Sequence, residues 1–288
     1  MTTALYNPLA SNGRGRENAA KLAEVLDEQI SFKDIRETKI SDIPAEDKIV
    51  ICGGDGTISH LVNTFGEPER DIYYYAAGSG NDFTRDIGET GVILLNPYLK
   101  NLPTVEVKGK SYKVLNGVGY GIDGYCCDVG DEMRAKNPGK EINYTSIAIK
   151  GLLFHFKPAN ATVTVDGKEH KFRKVWLAPA MNGRYYGGGM CIAPEQDRLN
   201  AERKLSVVVM HGSGKLKTLI VFPSIFKGEH VKHTEMVEIL TGHTIEVKFD
   251  RPTALQVDGE TIKSVESYVI KSSAVAGKEK EFAEGITV

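Results

Sequence analysis

At 288 residues, with 41% hydrophobic and 26% charged side chains, the sequence has the balance of a globular enzyme of one or two domains. Such a chain buries a sizeable core without disulfides or a structural metal. A formal net charge of -2 excludes the global positive field that nucleic-acid binding needs, so no nucleic-acid partner is expected. The start, Met1-Thr-Thr-Ala-Leu-Tyr-Asn-Pro8, has no basic stretch followed by a long apolar one. No apolar window approaches the ~18 residues of a spanning helix, so a cytoplasmic chain whose membrane contact is peripheral is expected. Cys52, Cys126, Cys127 and Cys191 form no CxxC pair, which fits a reducing compartment.

In chain order, a short strand at Ala4 to Tyr6 precedes an amphipathic helix over 14–30, with Ala19, Leu22, Ala23, Leu26 and Ile30 at helical spacing. Ile49-Val-Ile-Cys52 reads as a buried parallel strand. It stops at Gly53-Gly-Asp-Gly-Thr57, after which Ile58, Leu61, Val62 and Phe65 repeat with helical period. A second strand, Ile72 to Ala76, ends at Gly78-Ser-Gly-Asn-Asp82. Strand alternating with helix predicts a parallel sheet.

Past residue 103 the pattern becomes β-rich. Thr104–Val107 and Tyr112–Leu115 flank a Lys-Gly-Lys turn, and Ala161–Val165 runs into the hairpin signal Asp166-Gly167. Further strands are predicted at Val175–Ala178, Leu205–Met210, Thr244–Phe249 and Ala254–Val257, with a helical insert at about 141–154. The expected architecture is an α/β, Rossmann-like domain over 1–102 and a mainly antiparallel β-sandwich over 103–275. A tail of mixed charge follows at 276–288.

Two glycine turns carry the chemistry. In Gly53-Gly-Asp-Gly-Thr57, glycines let backbone approach polyphosphate while the helix N-terminus aims N–H groups at it. Asp55 would repel phosphate there unless Mg²⁺ lies between them; the alternative is a tight turn whose Asp favours the helix dipole. Gly78-Ser79-Gly-Asn-Asp-Phe-Thr-Arg85 repeats the scheme one strand later, bringing Asp82 and Arg85 to the same sheet edge.

In this order, Asn7-Pro8, Gly53–Thr57, Gly78–Asp82, Asn116-Gly-Val-Gly-Tyr-Gly-Ile-Asp123, Tyr185-Tyr-Gly-Gly-Gly-Met190 with Ala193-Pro194, Phe226-Lys-Gly-Glu-His230 and Asp258-Gly-Glu260 resemble the diacylglycerol kinase catalytic family. That family includes bacterial lipid kinases and the sphingosine and ceramide kinases. The resemblance implies a two-domain fold of NAD kinase/lipid kinase type, with ATP between the domains, and Mg²⁺-dependent transfer of the γ-phosphoryl to the hydroxyl of a lipid at a membrane surface. It implies a magnesium network of Asp55, Asp82 and Glu106, the last where relatives usually carry Asp. Arg85 matches the cation of that network. Nucleotide contacts are implied at Asn7, Pro8, Thr38, Gly53, Gly54, Asp55, Gly56, Thr57, Gly78, Ser79 and Arg85, and catalytic acids at Asp258 and Glu260. Soluble-metabolite kinases of the NAD kinase type share the first glycine turn and form the rival reading; a non-catalytic lipid- or nucleotide-binding relative is the third. Oligomeric state stays open.

Three stretches depart from the family pattern. The first loop, Asn7 to Gly15, is longer and shifted, leaving Ser11 and Arg14 without fixed counterparts. A helix usual between Thr38 and Asp47 has no room. Arg203-Lys204-Leu205 stands where relatives carry an Asp that binds a structural Mg²⁺, so a brace by the Arg203 charge is expected instead. Among weaker signals, Gly119-Tyr-Gly-Ile-Asp-Gly124 satisfies GxGxxG but shows no amphipathic helix after it, and reads as turn glycines. Gly212-Ser-Gly-Lys215 reads as a loop. Leu152-Leu-Phe-His-Phe156, between Lys150 and Lys157, reads first as an amphipathic core segment and second as a guide for an acyl chain.

Overall fold

The computed structural model describes residues 1–78, 80–137 and 142–275, without the side chains of Asn12 and Thr145. Ser79 and the tail at 276–288 lie outside the described residues. The chain divides into two compact units, Met1–Lys100 and, among the described residues, Asn101–Asn137 with 142–275.

The first unit runs β1 (Thr2–Tyr6), α1 (Ala10–Gly13), α2 (Gly15–Leu26), β2 (Ile30–Asp34), β3 (Lys48–Gly53), α3 (Asp55–Phe65), β4 (Ile72–Ala76), α4 (Asp82–Ile87), β5 (Val92–Leu94) and α5 (Asn96–Leu99). Its sheet has the order β2-β1-β3-β4-β5, parallel from β1 to β4 and closed by antiparallel β5. The continuous apolar run Ile49 to Cys52 is buried, as a strand covered on both faces requires. Ala19 and Leu22 of α2 pack on Ala4, Val50 and Cys52. The helix expected to 30 stops at Leu26, because Asp27 is left-handed and Ile30 opens β2. Between Thr38 and Asp47 a single 3₁₀ turn, Ile40–Asp42, replaces the family's helix.

The second unit comprises β6 (Thr104–Val107), β7 (Lys110–Lys113), β8 (Gly117–Tyr120), α6 (Ile122–Lys136), α7 (Tyr144–Lys150), β9 (Ala159–Val165), β10 (Lys168–Val175), β11 (Ala180–Met181), β12 (Tyr185–Tyr186), β13 (Met190–Cys191), β14 (Leu205–Met210), α8 (Lys215–Val221), β15 (Val237–Gly242), β16 (Thr244–Val257) and β17 (Glu260–Lys271). A π-helical turn, Gly151–His155, extends α7, and a 3₁₀ turn, Phe222–Lys227, extends α8. The main sheet has the order β15-β14-β11-β8-β16-β17-β6-β7, with the β9–β10 hairpin attached to β16. Every pairing in it is antiparallel. This is the expected β-sandwich class beside an α/β unit.

Two strands expected at Thr244–Phe249 and Ala254–Val257 are one strand, β16. Its register against β17 shifts between Lys248 and Thr253, around Pro252. Ile245–Phe249 then pairs with β9 and Leu255–Val257 with β8. One strand thus carries both pairings, and Tyr120 of β8 stacks on Phe249 at 3.9 Å. Asp166-Gly167 and Asp258-Gly259 both have positive φ at the two central residues, the geometry of type I′ hairpin turns.

Helix α6 corrects the reading of Gly119–Gly124 as plain turn glycines: a 15-residue helix follows β8 directly. Its stripe is obscured in the sequence because the buried positions include Gly124, Cys126 and Gly130 beside Ile122. These glycines serve close packing. A Cβ on Gly124 would overlap the Ala254 carbonyl of β16, and one on Gly121 would strike the Trp176 carbonyl. No described helix is long and apolar enough to cross a membrane.

Gly124→Ala should therefore lose about 1–3 kcal/mol of stability, the range for overpacking. Gly214→Ser, in open space at the α8 N-cap, should be neutral or slightly stabilising. Urea denaturation of the two variants reads the contrast.

Candidate active site

All four parallel strands of the first unit end at one sheet edge, so the segments after Tyr6, Asp34, Gly53 and Ala76 gather there. The order β2-β1-β3-β4 reverses direction between β1 and β3, and ligands of open α/β sheets sit at such a switch point. That places Asn7-Pro8 and Gly53-Gly54 on either side of the crevice, with Thr38 just past the turn that follows β2. Asn7 Oδ1 accepts the Leu9 N–H at 2.9 Å, and the Asn7 carbonyl lies against Gly15, where a Cβ would overlap it. Ser11 is left-handed, and its buried hydroxyl has no partner among the described residues.

The two glycine turns are knotted together. The Gly53 carbonyl accepts the Ala77 N–H (2.9 Å), the Gly78 N–H (3.0 Å) and the Tyr74 hydroxyl (2.9 Å). Asp55 Oδ2 accepts the Asp82 N–H at 2.8 Å, and its Oδ1 accepts the Phe83 N–H at 3.2 Å. The carboxylate of one turn thus caps the helix of the other, and a hydrogen bond to a charged acceptor contributes about 1.5–3 kcal/mol. Burial, and after it the Asp55 charge, pushes the Tyr74 phenol up. Gly54 and Gly78 are glycines because the turns touch backbone to backbone: a Cβ on Gly54 would lie 2.9 Å from the Gly80 carbonyl oxygen, and one on Gly78 would overlap Gly54. Gly56 and Gly80 face open space. Thr57 is buried, with its side chain against Gly53. Asp82 is buried too, and its Oδ1 takes Arg85 Nη1 at 2.9 Å.

In the second unit, Asp258 staples the segment before β8. Its carboxylate accepts N–H groups from Leu115 (2.6 Å), Asn116 (2.8 Å) and Gly117 (3.1 Å). Arg198, also buried, donates Nη2 to Asn116 Oδ1 at 2.9 Å and Nη1 to the Leu115 carbonyl at 3.3 Å. Burial raises the Asp258 pKa, against the three N–H bonds and the Arg198 charge that favour the anion. Glu260, two residues on, is exposed at the start of β17. Glu106 lies on β6 with Lys271 Nζ at 3.7 Å. Next to Arg203, neutral amides hold the backbone: Gln196 Nε2 reaches the Lys204 carbonyl at 3.0 Å, and Asn200 Oδ1 takes the Lys204 N–H at 2.8 Å.

Family models match both units, the diacylglycerol kinase catalytic domain over residues 2–97 and the YegS C-terminal NAD kinase beta sandwich-like domain over 116–273. The chain belongs to this diacylglycerol kinase family. It is 26% identical over 265 residues to the protein named Diacylglycerol kinase in Mycobacterium tuberculosis, strains CDC 1551 / Oshkosh and ATCC 25618 / H37Rv, covering 81% of each chain. Its fold matches the crystal structure of a diacylglycerol kinase from Bacillus anthracis str. Sterne with TM-score 0.61 at 18% identity, over 94% of both chains.

Within this kinase family member, the fold brings Asp55, Asp82 and Arg85 into one knot, while Glu106, Asp258 and Glu260 belong to the second unit. Among the described residues no three His, Cys, Asp or Glu side chains are grouped to cage an ion. The knot fits Mg²⁺ in its partly hydrated form, which takes one or two carboxylates together with substrate phosphates. Beside Asp82, the buried Asn81 Oδ1 has no hydrogen-bond partner among the described residues and could receive a metal-bound water. Thiol chemistry is unfavourable, since burial raises Cys126 and pushes Cys52 and Cys127 up to about 12.

Sequence reasoning assigned no role to Arg198, Asn182 or Asp123. Asn182 donates Nδ2 to the Leu115 carbonyl at 2.9 Å, completing the staple. Asp123, in the first turn of α6, accepts the Tyr186 hydroxyl at 3.1 Å, while its other oxygen is buried without a partner among the described residues. Burial is the dominant cause that lifts its pKa from 3.8 to about 6. The folded state therefore holds this proton more tightly than the unfolded chain. Its contribution to stability is full below pH 3.8 and is lost as pH rises through about 6. Asp123→Asn should stabilise the protein at pH 8 by up to about 3 kcal/mol relative to its effect at pH 4. Denaturation midpoints at the two pH values measure the difference.

Proposed function

We propose that this family member is an ATP- and Mg²⁺-dependent lipid kinase, transferring the γ-phosphoryl of ATP to a lipid hydroxyl such as that of diacylglycerol. The carrying observation is the Asp55 knot: two glycine turns and two helix N-termini fastened at the switch edge of a parallel sheet. The name shared by the Mycobacterium tuberculosis relatives supports the lipid acceptor.

Open backbone at Gly56 and Gly80, with the uncapped N-terminus of α3, receives the phosphates. Asp55 and Asp82 would hold Mg²⁺, which when bound neutralises charge on the phosphoryl oxygens. Glu260 is the general base. It accepts the proton as the lipid O–H breaks and the oxygen bonds the γ-phosphorus, with ADP leaving. Asp258 is the positioning residue, because three N–H donors already occupy its carboxylate, with the Arg198 charge nearby. The I′ turn between them fixes where Glu260 stands. The site of action is the cytoplasmic surface of a membrane, reached peripherally.

Purified protein with labelled ATP and Mg²⁺ should label diacylglycerol in mixed micelles and leave NAD unlabelled. Label in NAD alone would establish a soluble-metabolite kinase. Glu260→Gln should lower turnover ~10²–10⁴-fold with an unchanged fold. Asp258→Asn should lower thermal stability as well as activity, and a Glu260 variant of full activity would remove the base from this mechanism.

A further inference from the structure

The second unit carries an apolar face that its own core does not use. Helix α8 buries Thr218 and Val221 and turns Leu216 and Ile220, one helical turn apart, outward at 72% and 70% exposure. Phe154 of the adjoining π turn is 72% exposed, and Ile149 of α7 and Phe226 of the following 3₁₀ turn are exposed as well. These elements are neighbours: α8 packs against the π turn, and Lys215 Nζ donates to the Leu153 carbonyl at 3.0 Å. Beneath them, Leu152, Phe156, Val221, Phe222 and Ile225 belong to one buried cluster, which fixes the outward residues on a rigid base.

The charge around this face is one-sided. Segments 144–157 and 212–227 hold Lys150, Lys157, Lys215, Lys217 and Lys227 with no Asp or Glu, in a chain whose net charge is -2. Among the described residues, Glu235 lies 2.7 Å from Lys217 Nζ and Glu229 feels the charge of Lys227. Large apolar side chains ringed by lysine stems match the boundary of an anionic bilayer, where apolar tips enter the acyl region and ammonium groups meet phosphate. A second copy of the chain would bring the same lysines against each other, which disfavours self-association.

We propose that the α7–α8 face, with Phe154, Leu216 and Ile220 at its centre, docks this protein on an anionic phospholipid bilayer. It deepens the lipid-kinase reading by naming how the chain meets its substrate, while standing on observations separate from the Asp55 knot. The sequence reading of Leu152–Phe156 as core holds for Leu152 and Phe156, which are buried; Phe154 and His155 face outward.

Co-sedimentation of the full chain with vesicles tests it. Vesicles of equimolar phosphatidylcholine and phosphatidylglycerol should bind the protein, phosphatidylcholine vesicles should bind it far less, and added salt should weaken binding. Lys150→Gln with Lys157→Gln should weaken binding on the order of tenfold, and Leu216→Ser with Ile220→Ser by at least about as much. Both pairs are exposed, so melting temperatures should stay near wild type. Transfer to a monomeric short-chain diacylglycerol should be unchanged in Leu216→Ser/Ile220→Ser. Absence of wild-type binding to the anionic vesicles, or variants that bind like wild type, would overturn the proposal. So would a dimer in sedimentation velocity that Leu216→Ser/Ile220→Ser dissolves. Vesicle binding without transfer to any lipid would leave the docking face standing and remove the kinase reading.

Discussion

The Asp55 carboxylate, accepting two backbone N–H groups from the start of α4, is the interaction on which the α/β unit's site depends. It joins loops 27 residues apart in sequence and sets the N-termini of α3 and α4 beside each other. The Gly53 carbonyl, with three donors, fastens the same loops from below. Together they bring two partial positive helix ends to one place, which an isolated strand–turn–helix cannot do. The glycine requirement follows from this. Gly54 and Gly78 have no space for a Cβ because the loops touch, whereas Gly56 and Gly80 leave open backbone for a ligand.

The β-rich unit uses a carboxylate in the same way. Asp258 stands in a left-handed turn position and spends its oxygens on three successive backbone N–H groups ahead of β8. The Arg198 charge favours its anionic form, against the desolvation that raises its pKa. A rigid turn results, and the next carboxylate along the chain, Glu260, is left exposed at a fixed point. The contrast between these two acids lies in their surroundings: three backbone N–H groups hold Asp258, and Glu260 is exposed.

Features set by local chemistry were legible in the sequence. Ile49–Cys52 and the Asp-Gly hairpins need nothing beyond periodicity and φ preference. Features set by distant partners were not. Helix α6 hides its buried stripe because Cys126 and Gly130 occupy positions where Leu is usual, and a neighbouring strand demands the small residues. Asp250-Arg-Pro252 splits β16 in the sequence, yet the strand continues through a register shift there and pairs with β9 before it and β8 after it. Asp55 as a cap on α4, and Asp123 with one unpaired oxygen, arise from partners that no local window contains.

If the fastened turns are a phosphate cradle, a nucleotide should be felt first by their backbone amides. Titrating ¹⁵N-labelled protein with Mg²⁺ and a non-hydrolysable ATP analogue measures this directly. The amide resonances of Gly54, Gly56, Gly80 and Asp82 should shift together and saturate with a common dissociation constant. Shifts that spare these amides, or that appear at them without saturation, would contradict the placement of the nucleotide at the Asp55 knot.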